Sequence, residues 1–268
     1  MIAEVRGQGV PLIAIHGFGV DHRIMLPLEE MLDGMPETGE WQRVYLDLPW
    51  AQGATDNGAP NPRAVADFVV DEVRHIAGDG PFAIIGNSFG AMIARHVAHA
   101  LSEQCIGLAT FAGVFVLDHA ERTLPHREIM LRDERVLELA GDGREDFAAM
   151  AVLQTAAALR AFEEFVLPGL RGANQEVLDR LSETYSDGYV PETDALQPFD
   201  APSLHVFGRQ DHVVGFEDGL AFAHHYSRGT FSVLDSAGHN LHLEQPEIVG
   251  ALLRDWLLRA SRFAQLNN

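Results

Sequence analysis

A strand, a sharp turn and a helix are predicted by the sequence Phe82-Ala83-Ile84-Ile85-Gly86-Asn87-Ser88-Phe89-Gly90-Ala91-Met92-Ile93-Ala94-Arg95. A serine at such a turn presents its hydroxyl to the surroundings, and the flanking glycines relieve crowding where the backbone doubles back. With Gly and Ser each at roughly 7% of residues, a chain of this length contains G-x-S-x-G by chance about one time in ten. Ser88 is therefore a candidate nucleophile whose partners must be found elsewhere in the chain.

The composition indicates a globular protein with a sizeable core, since 47% of the 268 residues are hydrophobic and 22% are charged. The formal net charge is −20, and all 19 basic residues are arginine. An acidic surface repels phosphate backbones and anionic lipids, which argues against nucleic acid and membrane partners. The absence of lysine excludes Schiff-base chemistry, serine–lysine dyads and a P-loop lysine.

The single cysteine, Cys105, excludes an internal disulfide and a metal-binding cysteine cluster. No basic segment followed by an apolar run opens the chain, and no apolar run approaches the roughly 18 residues of a membrane span. We therefore expect a cytoplasmic protein. The histidines show no zinc-site spacing with a carboxylate or a third histidine, so no metal is expected.

Short apolar runs alternate with longer amphipathic stretches, a pattern typical of βα units around a mostly parallel sheet. The predicted strands are 11–15, 44–46, 82–85, 106–111, 204–207 and 231–234. The predicted helices of this alternating part are 63–76, 91–101, 217–226 and 246–263.

The alternation fails between residues 118 and 198, where apolar residues recur at helical spacing and no convincing strand is found. We predict a helical cap here, inserted between two strands of a core formed by residues 1–117 and 199–268. In open α/β sheets, ligands bind at the carboxyl edge of the strands, so a cap at that edge would shape the substrate pocket. The alternative is a surface decoration without contact to the pocket.

A serine nucleophile needs a base, and the base needs a carboxylate to orient it. Asp211 follows the predicted strand 204–207, and His239 follows the predicted strand 231–234. Both side chains are thus expected at carboxyl ends of strands, and the chain order is Ser, Asp, His.

In this order and context the chain resembles the α/β-hydrolases, whose triad occupies these strand ends. The element Gly208-Arg209-Gln210-Asp211-His212-Val213-Val214 resembles the family's G-x-x-D-x-x-V, and Gly238-His239 resembles its terminal G-H. The resemblance implies Ser88 as nucleophile, His239 as general base and then acid, and Asp211 as the residue that orients His239. It spans residues 10 to 260, approximately.

The stretch His16-Gly17-Phe18-Gly19 resembles the family's oxyanion loop. The resemblance implies that the backbone N–H groups of Phe18 and Phe89 form the oxyanion hole, and that His16 braces the loop. Trp50, Val214 and His242 are candidates for the substrate pocket. Asp118 is the rival for the acid, because in some members the carboxylate comes from an earlier strand.

Two departures from the family pattern concern the sheet edge and the pocket. Only about ten residues precede the H-G element, where the family commonly has two further strands. The family's D-x-P-G-x-G turn is replaced by Asp47-Leu48-Pro49-Trp50-Ala51-Gln52-Gly53. Neither departure affects Ser88, Asp211 or His239.

The resemblance implies a serine hydrolase that needs no cofactor and acts on a small-molecule substrate, for which we expect a fairly apolar carboxylic ester. Hydrolysis of a carbon–carbon bond in a β-diketone-like substrate, or of a lactone, would use the same triad. A non-catalytic binding or sensor protein of this fold is the alternative from another class.

Overall fold

The computed structural model describes residues 1–186, 189–195 and 197–267. A seven-stranded sheet forms its centre, with the strand order β1-β3-β2-β4-β5-β8-β9. Every pairing in this sheet is parallel except that of β1 with β3. The mostly parallel sheet predicted from the sequence is therefore confirmed. The strands are β1 (Ile2–Arg6), β2 (Val10–Ile15), β3 (Trp41–Leu46), β4 (Phe82–Asn87), β5 (Cys105–Phe111), β6 (Leu131–Arg132), β7 (Leu153–Gln154), β8 (Ser203–Gly208) and β9 (Gly229–Leu234).

Strand β1 was not predicted. It is an edge strand of five residues, of which three are exposed and none is buried, so its sequence shows no apolar run. The central strands β4, β5 and β8 are buried along their whole length, as expected for parallel strands covered on both faces. This difference in burial explains why the sequence indicates the central strands and not β1.

Helices flank the sheet and fill the connections. Asn61 caps the second helix with its side chain, which accepts the N–H of Ala64. The helices are α1 (Leu28–Leu32), α2 (Pro62–Ala77), α3 (Phe89–Ala100), α4 (Glu134–Leu139), α5 (Arg144–Met150), α6 (Ala156–Phe165), α7 (Leu167–Gly172), α8 (Gln175–Ser182), α9 (Pro191–Asp194), α10 (Glu217–Ala221), α11 (Leu241–Glu244) and α12 (Pro246–Asn267). Helices α2 and α3 pack together, and α12 packs on β5 and β8.

The predicted helix 217–226 is shorter than expected. It divides into α10 and a 3₁₀ turn at Ala223–His225, separated by Phe222 in a non-helical conformation. No membrane-spanning candidate exists among the helices of the part of the chain that the structure describes.

The segment between β5 and β8 holds the helices α4 to α9, as the spacing predicts. It also contains the two-residue strands β6 and β7, which pair in parallel and were not expected. Phe147 of α5 and Phe162 of α6 are buried against each other, with ring centroids 5.5 Å apart. The segment therefore has apolar packing of its own.

A buried ion pair ties the end of this segment to the helix that follows Ser88. Arg95 of α3 donates to Glu192 of α9 at 2.6 Å and to the carbonyl oxygen of Val114 at 2.7 Å. Tyr226 donates to the same Glu192 carboxylate. The contact fixes where the inserted segment returns to the sheet.

Candidate functional site

Ser88 stands at the turn between β4 and α3 in a strained backbone conformation, with φ 53° and ψ −116°. The turn requires both flanking glycines. A Cβ at Gly86 would lie 2.2 Å from the carbonyl oxygen of Gly90, and one at Gly90 would lie 2.4 Å from the carbonyl oxygens of Ile15 and His16. The turn thus forms only because these two positions carry no side chain.

A continuous chain of hydrogen bonds joins Ser88, His239 and Asp211. The Ser88 Oγ is 2.9 Å from His239 Nε2, and His239 Nδ1 is 3.0 Å from Asp211 Oδ2. A carboxylate only accepts, so Nδ1–H donates to Asp211 and Nε2 is left to accept the Ser88 hydroxyl proton. Ser88 and His239 are each 7% exposed and Asp211 is fully buried.

The loop after β8 holds the Asp211 carboxylate in place. Its Oδ1 accepts the N–H groups of Val213 at 2.9 Å and of Val214 at 3.1 Å, which leaves Oδ2 for His239. The rival Asp118 accepts the N–H of Ala120 instead and caps the 3₁₀ turn His119–Glu121. Its side chain makes no hydrogen bond to His239.

The backbone N–H groups of Phe18 and Phe89 have no acceptor among the residues that the structure describes. Phe89 is the first residue of α3, where the N–H has no intrahelical partner. His16 braces the neighbouring loop, since its Nε2 accepts the N–H of Leu48 at 2.9 Å and its Nδ1 lies 2.8 Å from the carbonyl oxygen of Gly17. Burial lowers the pKa of His16, which suits this neutral bracing role.

Aromatic rings support the same region. The Phe18 ring packs on Phe89 and on Tyr185 of the inserted segment, with centroids 5.7 and 5.4 Å apart. Trp50 lies behind Phe18 at 4.9 Å and donates its indole N–H to the carbonyl oxygen of Val20. The inserted segment thereby contacts the predicted oxyanion loop directly.

Ser88 and His239 line a cavity of about 580 Å³. The inserted segment contributes residues of α5 and α7, together with Val166 and Tyr185. Val214 lines the cavity, as predicted. Most of the remaining wall is apolar, with Val114, Leu117 and Leu170 among its side chains.

Trp50 and His242, the other two candidates for the substrate pocket, do not line this cavity. Trp50 is fully buried one layer behind Phe18. His242 is also fully buried, with its Nε2 2.9 Å from the carbonyl oxygen of Ile24 and its ring stacked on Phe111. Burial lowers the pKa of His242 to about 4, so this ring is a neutral core group.

Glu244 and Arg122 are among the polar residues at the site that were not found from the sequence. Glu244 accepts the backbone N–H of Gly238, next to His239, and Arg122 lines the cavity. For Glu244, the signal available in the sequence was its position five residues after His239. Nothing in the local sequence distinguishes Arg122 from the seven other arginines of the inserted segment.

The described residues contain no group of three or more His, Cys, Asp or Glu side chains placed to hold a metal ion. His205 is engaged in the core with Thr110 and Ser203, and His96 lies 3.0 Å from Asp67. Burial raises the pKa of the Cys105 thiol to about 12, which leaves it unreactive.

A family model described as a thioesterase domain matches residues 36–256, more than half of the chain. The chain belongs to the thioesterase-domain family. The solved structure of an α/β superfamily hydrolase from Oenococcus oeni is 27% identical, aligns over 95% of both chains and gives a TM-score of 0.84. The α/β-hydrolase fold and a hydrolase enzyme of that type, both expected from the sequence, are thereby confirmed.

Curated relatives of this thioesterase-family chain are hydrolases and a synthase. A pimeloyl-[acyl-carrier protein] methyl ester esterase from Shewanella woodyi is 25% identical over 95% of this chain and 96% of its own length. An (E)-2-((N-methylformamido)methylene)succinate hydrolase from Acinetobacter baylyi is 23% identical over 94% and 92%. A 2-succinyl-6-hydroxy-2,4-cyclohexadiene-1-carboxylate synthase from an Enterobacter species is 29% identical over 90% and 89%.

Proposed function

We propose that this thioesterase-family chain is a serine hydrolase in which Ser88 is the nucleophile, His239 the general base and Asp211 the residue that orients it. The observation that carries the proposal is the pair of contacts at His239, 2.9 Å to Ser88 Oγ and 3.0 Å to Asp211 Oδ2. A buried serine, imidazole and carboxylate in this order is the arrangement that activates a hydroxyl at neutral pH.

The reaction then proceeds through an acyl-enzyme. His239 Nε2 takes the Ser88 proton as Oγ attacks the carbonyl carbon, and it returns that proton to the leaving alcohol. A water molecule, deprotonated by the same nitrogen, then attacks the acyl carbon, and His239 Nε2 returns the proton to Ser88 Oγ as the Oγ–acyl bond breaks and the carboxylic acid leaves. The free N–H groups of Phe18 and Phe89 would stabilise the oxyanion in both steps, each by about 3 kcal/mol.

The substrate that the cavity favours is a small carboxylic ester. A volume of about 580 Å³ with a mostly apolar wall accommodates a molecule of modest size. Residues 118–198 act in this proposal as a cap on a core formed by residues 1–117 and 199–268, because Met150, Val166 and Leu170 of the segment line the cavity. Thioester, lactone or carbon–carbon hydrolysis would use the same three side chains, and a substrate screen separates them.

Labelling with a fluorophosphonate tests the nucleophile. Wild-type protein should be labelled stoichiometrically at Ser88, and Ser88→Ala should not be labelled. Ser186→Ala is the matched control, because Ser186 lines the same cavity without contacting His239 and its loss should leave labelling intact. A folded wild-type protein that resists labelling would contradict the proposal and favour a non-catalytic binding protein.

A series of p-nitrophenyl esters and thioesters of increasing acyl length then defines the preferred substrate. Ser88→Ala should abolish turnover of every substrate that the wild type hydrolyses. Residual turnover in Ser88→Ala equal to that of the wild type would assign the activity to another group.

A further inference from the structure

Arg122 places a cation in the wall of the Ser88 cavity. It follows the 3₁₀ turn His119–Glu121 at the beginning of the inserted segment. Among the described residues that line the cavity it is the one arginine, and the sequence contains no lysine. The neighbouring wall is apolar, formed by Leu117, Val213 and Val214.

Three carbonyl oxygens hold the guanidinium from two sides. Its Nε donates to Val116 at 2.8 Å and its Nη2 to Leu117 at 2.9 Å, both on the loop after β5. Its Nη1 donates to Val213 at 2.9 Å, two residues beyond Asp211. These contacts use three of the five guanidinium N–H groups, and Tyr185 is a further side-chain hydrogen-bond partner, so one N–H group remains for another acceptor.

No carboxylate of the described residues lies within 4.0 Å of this guanidinium. The contrast with Arg95 is direct, since Arg95 is fully buried and paired with Glu192 at 2.6 Å. Tyr185 packs beside Arg122, and burial raises the pKa of its hydroxyl to about 12 against the opposing effect of the cation. Tyr185 is therefore a neutral neighbour and does not balance the charge.

A partly buried cation that has no carboxylate partner is less favourable than a paired one, because burial removes part of its hydration. A guanidinium held in position by these contacts can still donate a charge-assisted hydrogen bond to a carboxylate and attract it by its charge. We propose that Arg122 binds a free carboxylate of the substrate, so that the preferred substrate is a small ester bearing a second, ionised carboxyl group. This inference rests on the proposed serine hydrolase function and makes its substrate class specific.

The acidic surface does not contradict an anionic substrate. At physiological ionic strength, charges more than about 8 Å apart in solvent are largely screened. A contact inside the cavity is screened much less, because the apolar wall excludes water and ions. The local attraction of Arg122 therefore outweighs the dispersed repulsion of surface carboxylates, and Asp146 is the acidic residue in the same cavity wall that it opposes.

The test compares two esters of nearly equal shape, monomethyl glutarate and methyl 5-methylhexanoate, in which an isopropyl group replaces the carboxylate. Methanol release gives kcat/KM for each. We expect wild-type protein to prefer the anionic ester at least tenfold, and Arg122→Gln to reduce this preference about 10- to 100-fold, mainly through KM. Arg122→Lys should restore part of the preference. Arg132→Gln, an exposed arginine of the same segment paired with Glu134, should not change it.

A structural role for Arg122 predicts a different result. If the guanidinium only clamps the loops, Arg122→Gln lowers kcat/KM for both esters by the same factor, and the proposal is overturned. The proposal is overturned whenever the ratio of kcat/KM for the two esters is the same in Arg122→Gln as in wild-type protein.

Calorimetric titration of Ser88→Ala with monomethyl glutarate keeps the test independent of turnover. Binding that is lost in the Ser88→Ala, Arg122→Gln double variant supports the carboxylate subsite, even if the wild type hydrolyses neither ester and the proposed activity fails. Absent binding, or binding equal in the two variants, overturns the subsite.

Discussion

The Glu244 carboxylate accepts the backbone N–H of Gly238 at 2.6 Å, one residue before His239. The same carboxylate accepts the N–H of Val152 at 2.7 Å and of Leu153 at 3.3 Å, in the inserted segment. A single side chain of α11 thus joins the loop that carries the predicted base to the segment between β5 and β8, which contributes to the cavity wall. His239 is held in position by this contact as well as by Asp211.

Substitution Glu244→Ala should lower both stability and activity, because it removes the acceptor of three backbone N–H groups. We expect a loss of about 2–4 kcal/mol in the free energy of unfolding, measured by urea denaturation. We expect kcat/KM for the preferred ester to fall more than tenfold, since a small displacement of a base is costly to catalysis.

Glu247→Ala is the matched control, because Glu247 is an exposed glutamate three residues further along the chain. It should stay close to wild type in both measurements. If Glu244→Ala were as active as this control, the carboxylate would have no role in positioning His239.

The sequence indicates that Ser88, Asp211 and His239 lie together because each follows a strand, of which β4 and β8 are buried and β9 is partly buried. Alternation of parallel strands with helices places such positions at one edge of the sheet, so their contact follows from the fold alone. The glycines at 86 and 90 indicate the turn for the same local reason. These features depend on residues that are near one another in the chain.

Glu244 and Arg122 were not predicted because each also has a partner that is distant in sequence. Arg122 contacts Val213 across 91 residues, and Glu244 contacts Val152 across 92. From the sequence we expect Trp50 in the pocket wall, because a large aromatic ring suits that position. In the structure its indole N–H donates to the backbone carbonyl oxygen of Val20.

Substitution of Ser88 by glycine should yield a more stable protein than substitution by alanine. The φ of 53° and ψ of −116° at this position are accessible to glycine and strained for a residue with a Cβ. Both variants lack the hydroxyl and should be inactive. Thermal unfolding of the two proteins should favour Ser88→Gly by about 1 kcal/mol, and equal stability would show that the turn stores no strain.

Substitution Gly86→Ala should destabilise the protein strongly. The new Cβ would lie 2.2 Å from the carbonyl oxygen of Gly90 and 2.6 Å from the N of Ala91, both backbone atoms that cannot move aside without displacing Ser88. We expect a loss of more than about 3 kcal/mol by urea denaturation.

Gly250→Ala gives the comparison for Gly86→Ala. Its Cβ would make only an ordinary contact with Met31 at 3.6 Å, inside α12. A helix with glycine in its interior is less stable than one with alanine, so Gly250→Ala should raise the free energy of unfolding by about 0.5–1 kcal/mol. Similar effects of the two substitutions would contradict the assignment of close packing to the turn.

Glu192 and Arg95 should make stability depend on pH in acid. Burial by itself would raise the pKa of Glu192, but the Arg95 guanidinium and the Tyr226 hydroxyl outweigh it and lower the pKa from 4.5 to about 2. A carboxyl group whose pKa is lowered in the folded state stabilises the protein at pH values above the ordinary pKa of that group. This contribution is lost as the pH falls from 4.5 towards 2.

Glu192→Gln should therefore be least stable, relative to wild type, at neutral pH. At pH 7 it leaves Arg95 buried without a counterion and should cost about 3–5 kcal/mol, measured by urea denaturation. The difference should narrow between pH 4.5 and pH 2, because the wild type then loses its own ion pair. Asp194→Asn breaks the exposed pair with Arg63 and should cost less than about 1 kcal/mol. A difference between Glu192→Gln and wild type that stayed constant from pH 7 to pH 2 would mean that Glu192 is not the ionised partner of Arg95.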